Sequence, residues 1–134
     1  MNRFSGHISE VETHENLSLV SIRLTKHIEL KTILIDTPDS APYLQKEHAV
    51  EVLFKETEVS VSTDLHPAIS LQNRFPGKIK QLEKGKLLSR ILIQTEAGEV
   101  ICIISSSAVE SLKLKPDLDV LALIKLNEIT LAPL

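Results

Sequence analysis

The chain is short of the parts that many functions require. Its single cysteine, Cys102, excludes an internal disulfide and any zinc cage built on thiolates. It has no tryptophan, one tyrosine and three phenylalanines, so stacking platforms for single-stranded nucleic acid are scarce. Only four glycines occur, and neither a Walker loop nor a dinucleotide fingerprint is present. There is no G-x-S-x-G turn to expose a nucleophilic serine. The five histidines, His7, His14, His27, His48 and His66, form no His-x-His or His-x-x-x-His pair, which favours solvated side chains over metal ligands. No apolar run approaches the roughly 18–20 residues that span a bilayer, and Met1–Gly6 opens without a signal-peptide core. Fifteen basic against eighteen acidic residues leave a formal charge of -3, which provides no positive field for a phosphate backbone. The expectation left standing is a cytoplasmic, non-enzymatic protein with no nucleic-acid or membrane partner and no metal or organic cofactor.

What is present is a globular composition, 43% hydrophobic and 25% charged, and an internal repeat. Asn2-Arg3-Phe4-Ser5-Gly6 recurs as Asn73-Arg74-Phe75-Pro76-Gly77, an offset of 71 residues. The register continues through Ile8 and Ile79, Ser18 and Ser89, and Ile22 and Ile93. It then runs at an offset of 70 through Lys55 and Lys125, and Glu58 and Glu128. One residue is therefore lost in a turn near Lys26-His27 or Glu96-Ala97-Gly98. Two copies follow, residues 1–63 and 69–134, joined by Thr63–Ala68 with Pro67 as a stiffener.

Within each copy the apolar period is two, the signature of half-buried strands. Phe4–Glu12 and Phe75–Glu83 predict first strands, and Ser18-Val20-Ile22-Leu24 and Ser89-Ile91-Ile93-Thr95 the inner faces of second strands. Leu30–Ile35 and Glu99–Ser105 predict third strands, and Ala49–Phe54 and Val120–Leu126 fourth strands. Val59–Val61 and Ile129–Ala132 are short fifth strands. Val109 and Leu112 recur at helical spacing. Ser107 and Glu110 have the form of a capping box, and Pro116 supplies a stop. In the first copy Thr37-Pro38 predicts a matching helix start. The expected fold is all-β: two tandem OB-like five-stranded barrels, each with one short helix. A barrel of about 60–65 residues buries only about 60% of its unfolded surface, so pairing within the chain and oligomerisation are both expected.

These residues resemble a known family. Asn73-Arg74-Phe75-Pro76-Gly77-Lys78-Ile79 is similar to the N-x-x-x-G-x-[VI] opening of the molybdate-binding Mop, or TOBE, domain. Cys102-Ile103-Ile104-Ser105-Ser106-Ser107-Ala108-Val109 stands where the family has A-I-I-T-x-x-S-V, and Val120–Lys125 resembles its V-x-A-x-I-K. The likeness runs from Ser70 to Leu131 in the second copy, and covers Asn2–Val11 and Val50–Lys55 in the first. Two copies in one chain resemble the tandem molbindins. The resemblance implies a protein that binds molybdate or tungstate for storage, buffering or sensing. It also implies a homo-oligomer, a trimer of tandem chains, with oxyanion sites where subunits meet.

A tetrahedral dianion calls for hydrogen-bond donors and positive charge rather than acids and bases. Ser105, Ser106 and Ser107 supply hydroxyls before the helix and Lys125 an ammonium. Ser70 and Asn73 belong to the family's opening motif, and Lys55 is the counterpart of Lys125. In the first copy Ile35 and Pro38 replace Ser105 and Ala108, and Asp36 and Asp39 add carboxylates. A unit charge about 4–5 Å from a like charge costs on the order of 3–4 kcal/mol at an effective dielectric near 20, so that copy repels an anion. Gln72 and Ala108 thin the second-copy set as well. The alternative is an oligomerising regulatory module of the same fold that has lost anion binding. The remaining singular features, Cys102 and the Lys78–Lys86 stretch, read as a packed thiol and a solvated face.

Overall fold

A computed structural model describes residues 1–134. Ten strands form two five-stranded antiparallel sheets. In the first half β1 (Asn2–His14), β2 (Leu17–Arg23), β3 (Glu29–Leu34) and β4 (Ala49–Phe54) are followed by a 3-10 turn, Glu56–Glu58, and β5 (Ser60–Ser62). The second half repeats this with β6 (Asn73–Lys84), β7 (Leu88–Thr95) and β8 (Gly98–Ser105). It continues through helix α1 (Ser106–Ser111), β9 (Asp119–Ile124), a 3-10 turn at Leu126–Glu128, and β10 (Thr130–Pro133). The period of two holds: Ser89, Ile91, Ile93 and Thr95 are buried on β7, and Ser18, Val20 and Ile22 on β2. Matching bulges interrupt β1 between Ile8 and Glu10 and β6 between Ile79 and Gln81. The missing residue lies in the hairpin between second and third strands, because Arg23 pairs with Glu29 but Gln94 with Glu99.

The sheets do not divide the chain as the repeat does. Their strand orders are β10-β4-β1-β2-β3 and β5-β9-β6-β7-β8. Each fifth strand crosses over: β5 pairs with β9 through Val61 and Ala122, and β10 pairs with β4 through Leu131 and Val52. Residues 1–63 and 69–134 are thus repeats in sequence but not separate sheets, since each half completes the other. The cause is the shortage of apolar surface in units this small; exchange lets both share one core. Twenty-four buried residues form that single cluster. All three phenylalanines meet in it, with Phe4–Phe54, Phe4–Phe75 and Phe54–Phe75 ring centroids 5.8, 5.2 and 5.8 Å apart.

Gly6 and Gly77 are close-approach residues in their strands. A Cβ there would lie 2.6 Å from the Arg23 carbonyl oxygen or 2.5 Å from that of Gln94. Only the second half has an α-helix. After Thr37 the first half makes a single turn, closed by the Ala41 N–H on the Thr37 carbonyl at 2.8 Å, and Pro42 prevents its continuation.

Candidate functional site

Helix α1 is capped two residues earlier than the sequence pattern suggests. Ser105 Oγ accepts the Ala108 N–H at 3.1 Å, so Ser105 is the N-cap and no capping box forms. Glu110 instead pairs with Lys84 across to β6. Nor does Pro116 end the helix. Lys113 turns left-handed at φ 54, and the Leu114 and Lys113 N–H groups return to the Val109 and Glu110 carbonyls. That is a Schellman-type stop.

The three serines have different fates. Ser106 is buried, donates to the Gly85 carbonyl at 2.7 Å and shares a 2.8 Å hydrogen bond with Ser89. Its hydroxyl is committed to tying α1 to β7 and the β6–β7 turn. Ser105 and Ser107 are exposed and lie 3.1 Å apart through their hydroxyls. Beside them an open depression of about 360 Å³ is lined by Lys84, Ser89, Arg90 and Glu83 among others. Arg90 has no carboxylate within salt-bridge distance, and it sits on the same strand face as Leu88, the cross-strand partner of Ser105. Sequence reasoning missed Arg90, because its proximity to the cap depends on the β7–β8 register alone.

Lys125 lies elsewhere. It follows Ile124, which pairs with Asn73 at the start of β6, whereas the serines adjoin the far end of that strand, where Lys84 pairs with Ser89. Twelve residues of β6 separate the two positions, on the order of 35 Å of strand path. Lys125 is exposed, makes no ion pair, and begins the second 3-10 turn. Ser70, also exposed, belongs to the same end. The adjoining linker is held by Arg74, whose guanidinium donates to the carbonyls of Leu71, Pro67 and Ile69.

Asn73 is fully buried, and its amide is spent within the chain. It accepts the Lys31 N–H at 2.7 Å and donates to the Lys31 carbonyl at 2.9 Å. Asn2 does the same to Ile101, at 2.8 and 2.9 Å. Each asparagine therefore staples the first strand of one half to the third strand of the other. Lys55 lines a cleft with Glu58 and Glu128, an anionic setting. The seven candidates thus fall into three groups: a serine cap, a distal end with Ser70, Asn73 and Lys125, and Lys55 in the acidic cleft.

The two sides of the repeat differ chemically. At the position of Ser105 the first half has Ile35, 77% exposed. The Thr37 N–H is taken by Ser40 Oγ at 2.9 Å, Pro38 has none, and the Asp39 N–H bends to Thr37 Oγ1 at 3.3 Å. The Thr37 and Asp39 amides are thus occupied locally, and Asp36 and Asp39 add negative charge. The neighbouring basic stretch is largely neutralised, with Lys78 on Asp119, Lys80 on Glu99 and Lys84 on Glu110. Cys102 is buried, and that burial pushes its thiol up to about 12, so it is a packing residue.

The TOBE domain family matches residues 69–131, from the linker to β10. This part of the chain is similar to the TOBE domain. The first half repeats the strand order of the second. No protein of curated function resembles the chain closely enough in sequence to register. Among solved structures, the cytoplasmic molybdate-binding protein ModG, in a molybdate-bound crystal form, superimposes over 99% of this chain and 96% of its own, with a TM-score of 0.91 and 24% identity. It shows the fold of both halves as one two-unit architecture. MopII from Clostridium pasteurianum aligns with 43% of this chain and 88% of its own, at 29% identity and a TM-score of 0.42. A molybdate-binding protein from Sporomusa ovata aligns with 44% and 88%, at the same identity and TM-score.

Proposed function

We propose that the protein is a non-enzymatic binder of tetrahedral oxyanions, molybdate or tungstate, serving molybdenum storage, buffering or sensing in the cytoplasm. The observation that carries this reading is the exposed Ser105–Ser107 hydroxyl pair in a TOBE-like half whose fold, with its partner half, follows ModG along nearly the whole chain. Hydroxyls bind an oxyanion without proton transfer, and no arrangement of acid, base and nucleophile accompanies them. Lys125 and Ser70 lie at the other end of the sheet, so a site using both groups assembles between chains. Exposed Leu87, Leu88 and Leu112 beside the cap, and Ile35 and Leu17 at the equivalent end of the first half, suit such contacts. A homo-oligomer, a trimer of tandem chains, is therefore part of the proposal. Ser105, Ser107, Lys125 and Ser70 are its ligand groups. Ser106 and Asn73 support the frame, and Lys55 is held off by its acidic neighbours.

Thermal unfolding with molybdate, tungstate and sulfate tests the reading. A ligand at 100 times its dissociation constant adds about 2.7 kcal/mol of stability. Ser105→Ala and Lys125→Ala should each reduce that gain, and Asp36→Ala should leave or increase it. No differential shift at millimolar molybdate would favour the second reading, an interaction module without an anion. The separation of Lys125 from the serine cap within one chain is the observation on its side.

A further inference from the structure

The linker between the halves has to cross a strand. β5 and β6 lie on either side of β9, so residues 63–72 pass over the outer face of β9. That face is built for the crossing. Leu121 and Leu123 stand on it at 2% and 3% exposed, where the first half has the half-buried Glu51 and Leu53. Leu65 of the linker lines a depression with Pro76, Gly77 and Val120. The change from Glu51 to Leu121 also alters the fate of an arginine. Arg3 spends its guanidinium on Glu51 at 2.6 Å, whereas its counterpart Arg74 meets leucine there.

Arg74 turns instead to the linker backbone. Its Nε donates to the Leu71 carbonyl at 2.8 Å, and one terminal nitrogen donates to the Pro67 and Ile69 carbonyls, both at 3.1 Å. The Ile69 N–H closes on the Pro67 carbonyl as well, at 3.1 Å. Ser70 lies between two of the three carbonyls so held, and its side chain is exposed. A planar guanidinium spans such a set in a fixed fork, which the compact ammonium of lysine does not reproduce. We propose that Arg74 is a positioning residue of the oxyanion site: by clamping the linker it fixes the turn that presents the Ser70 hydroxyl. The inference rests on the reading of Ser70 as a ligand group. A donor ordered before the anion arrives loses less freedom on binding, so the clamp acts on affinity through Ser70.

Calorimetric titration of the full chain with molybdate tests this. Ser70→Ala should weaken binding about tenfold, the worth of one hydrogen bond to a charged group. Arg74→Gln should weaken it by a similar factor, and the double variant should lose about tenfold rather than a hundredfold, because both changes remove one contribution. Arg74→Lys keeps the charge without the fork and should bind as weakly as Arg74→Gln; it decides the matter if the glutamine variant folds poorly. Arg3→Gln, the equivalent change in the first half, should leave the dissociation constant unaltered. Independent losses in the double variant, or full affinity in Arg74→Gln or Arg74→Lys, overturn the clamp while the anion reading stands. A native protein that takes up no molybdate overturns both.

Discussion

Asn73 shows how much one side chain can decide. Its amide satisfies both the N–H and the carbonyl of Lys31, forty-two residues away in sequence, in a setting closed to water. Replacing it by alanine strands those two backbone groups, each costing about 1–3 kcal/mol when left unpaired. Asn73→Ala, and Asn2→Ala by the same logic, should lower the urea midpoint accordingly. The recurrence of asparagine was legible in the sequence; its work was not. An amide serves equally as turn residue, anion donor or backbone staple, and only the approach of β3 selects the third. Ser106 teaches the same lesson from the other side. Three consecutive serines look alike in one dimension, yet the middle one points inward to Gly85 and Ser89, and only its neighbours face water.

Among the elements, strands were readable because burial on one face imposes a period of two that local sequence must display. Element ends and caps were less so. Glu110 fits a capping box in pattern, but Lys84 draws it across to β6, and the cap falls to Ser105. The first-half helix fails because Pro42 allows one turn only. Least visible of all was which sheet each fifth strand joins, since β5 and β10 suit either. Exchange has a direct consequence: a lesion late in the sequence weakens the early sheet. Leu131→Ala removes a buried side chain opposite Val52. It should cost about 2–5 kcal/mol, and amide protection should fall in β4 before β6 or β7.

For the molecule as a whole, ionisable contacts within and between the halves set a pH optimum. The Thr25 hydroxyl and His27 hold Glu96 below the usual carboxylate range, and Lys84 does so for Glu110. Acids lowered by folding stabilise above their unfolded value and lose that contribution as pH falls through the folded one. Glu58, held above its ordinary value of 4.5 chiefly by burial, acts in the opposite direction. Stability should therefore decline on both sides of the carboxyl range, and Glu96→Gln should flatten the acid limb of an unfolding-against-pH curve. The repeat, the strand periodicities, the scarcity of nucleophiles and metal ligands, and the asymmetry between Ser105 and Ile35 were all determined by sequence alone. Each is a property of neighbouring residues or of their absence. The tertiary structure alone decided the strand exchange, the asparagine staples, the distance between Lys125 and the serines, and the cleft shared by Glu58 and Glu128. These depend on which distant segments share one core, and the near-equivalence of the two halves makes self-pairing and exchange indistinguishable until the chain folds.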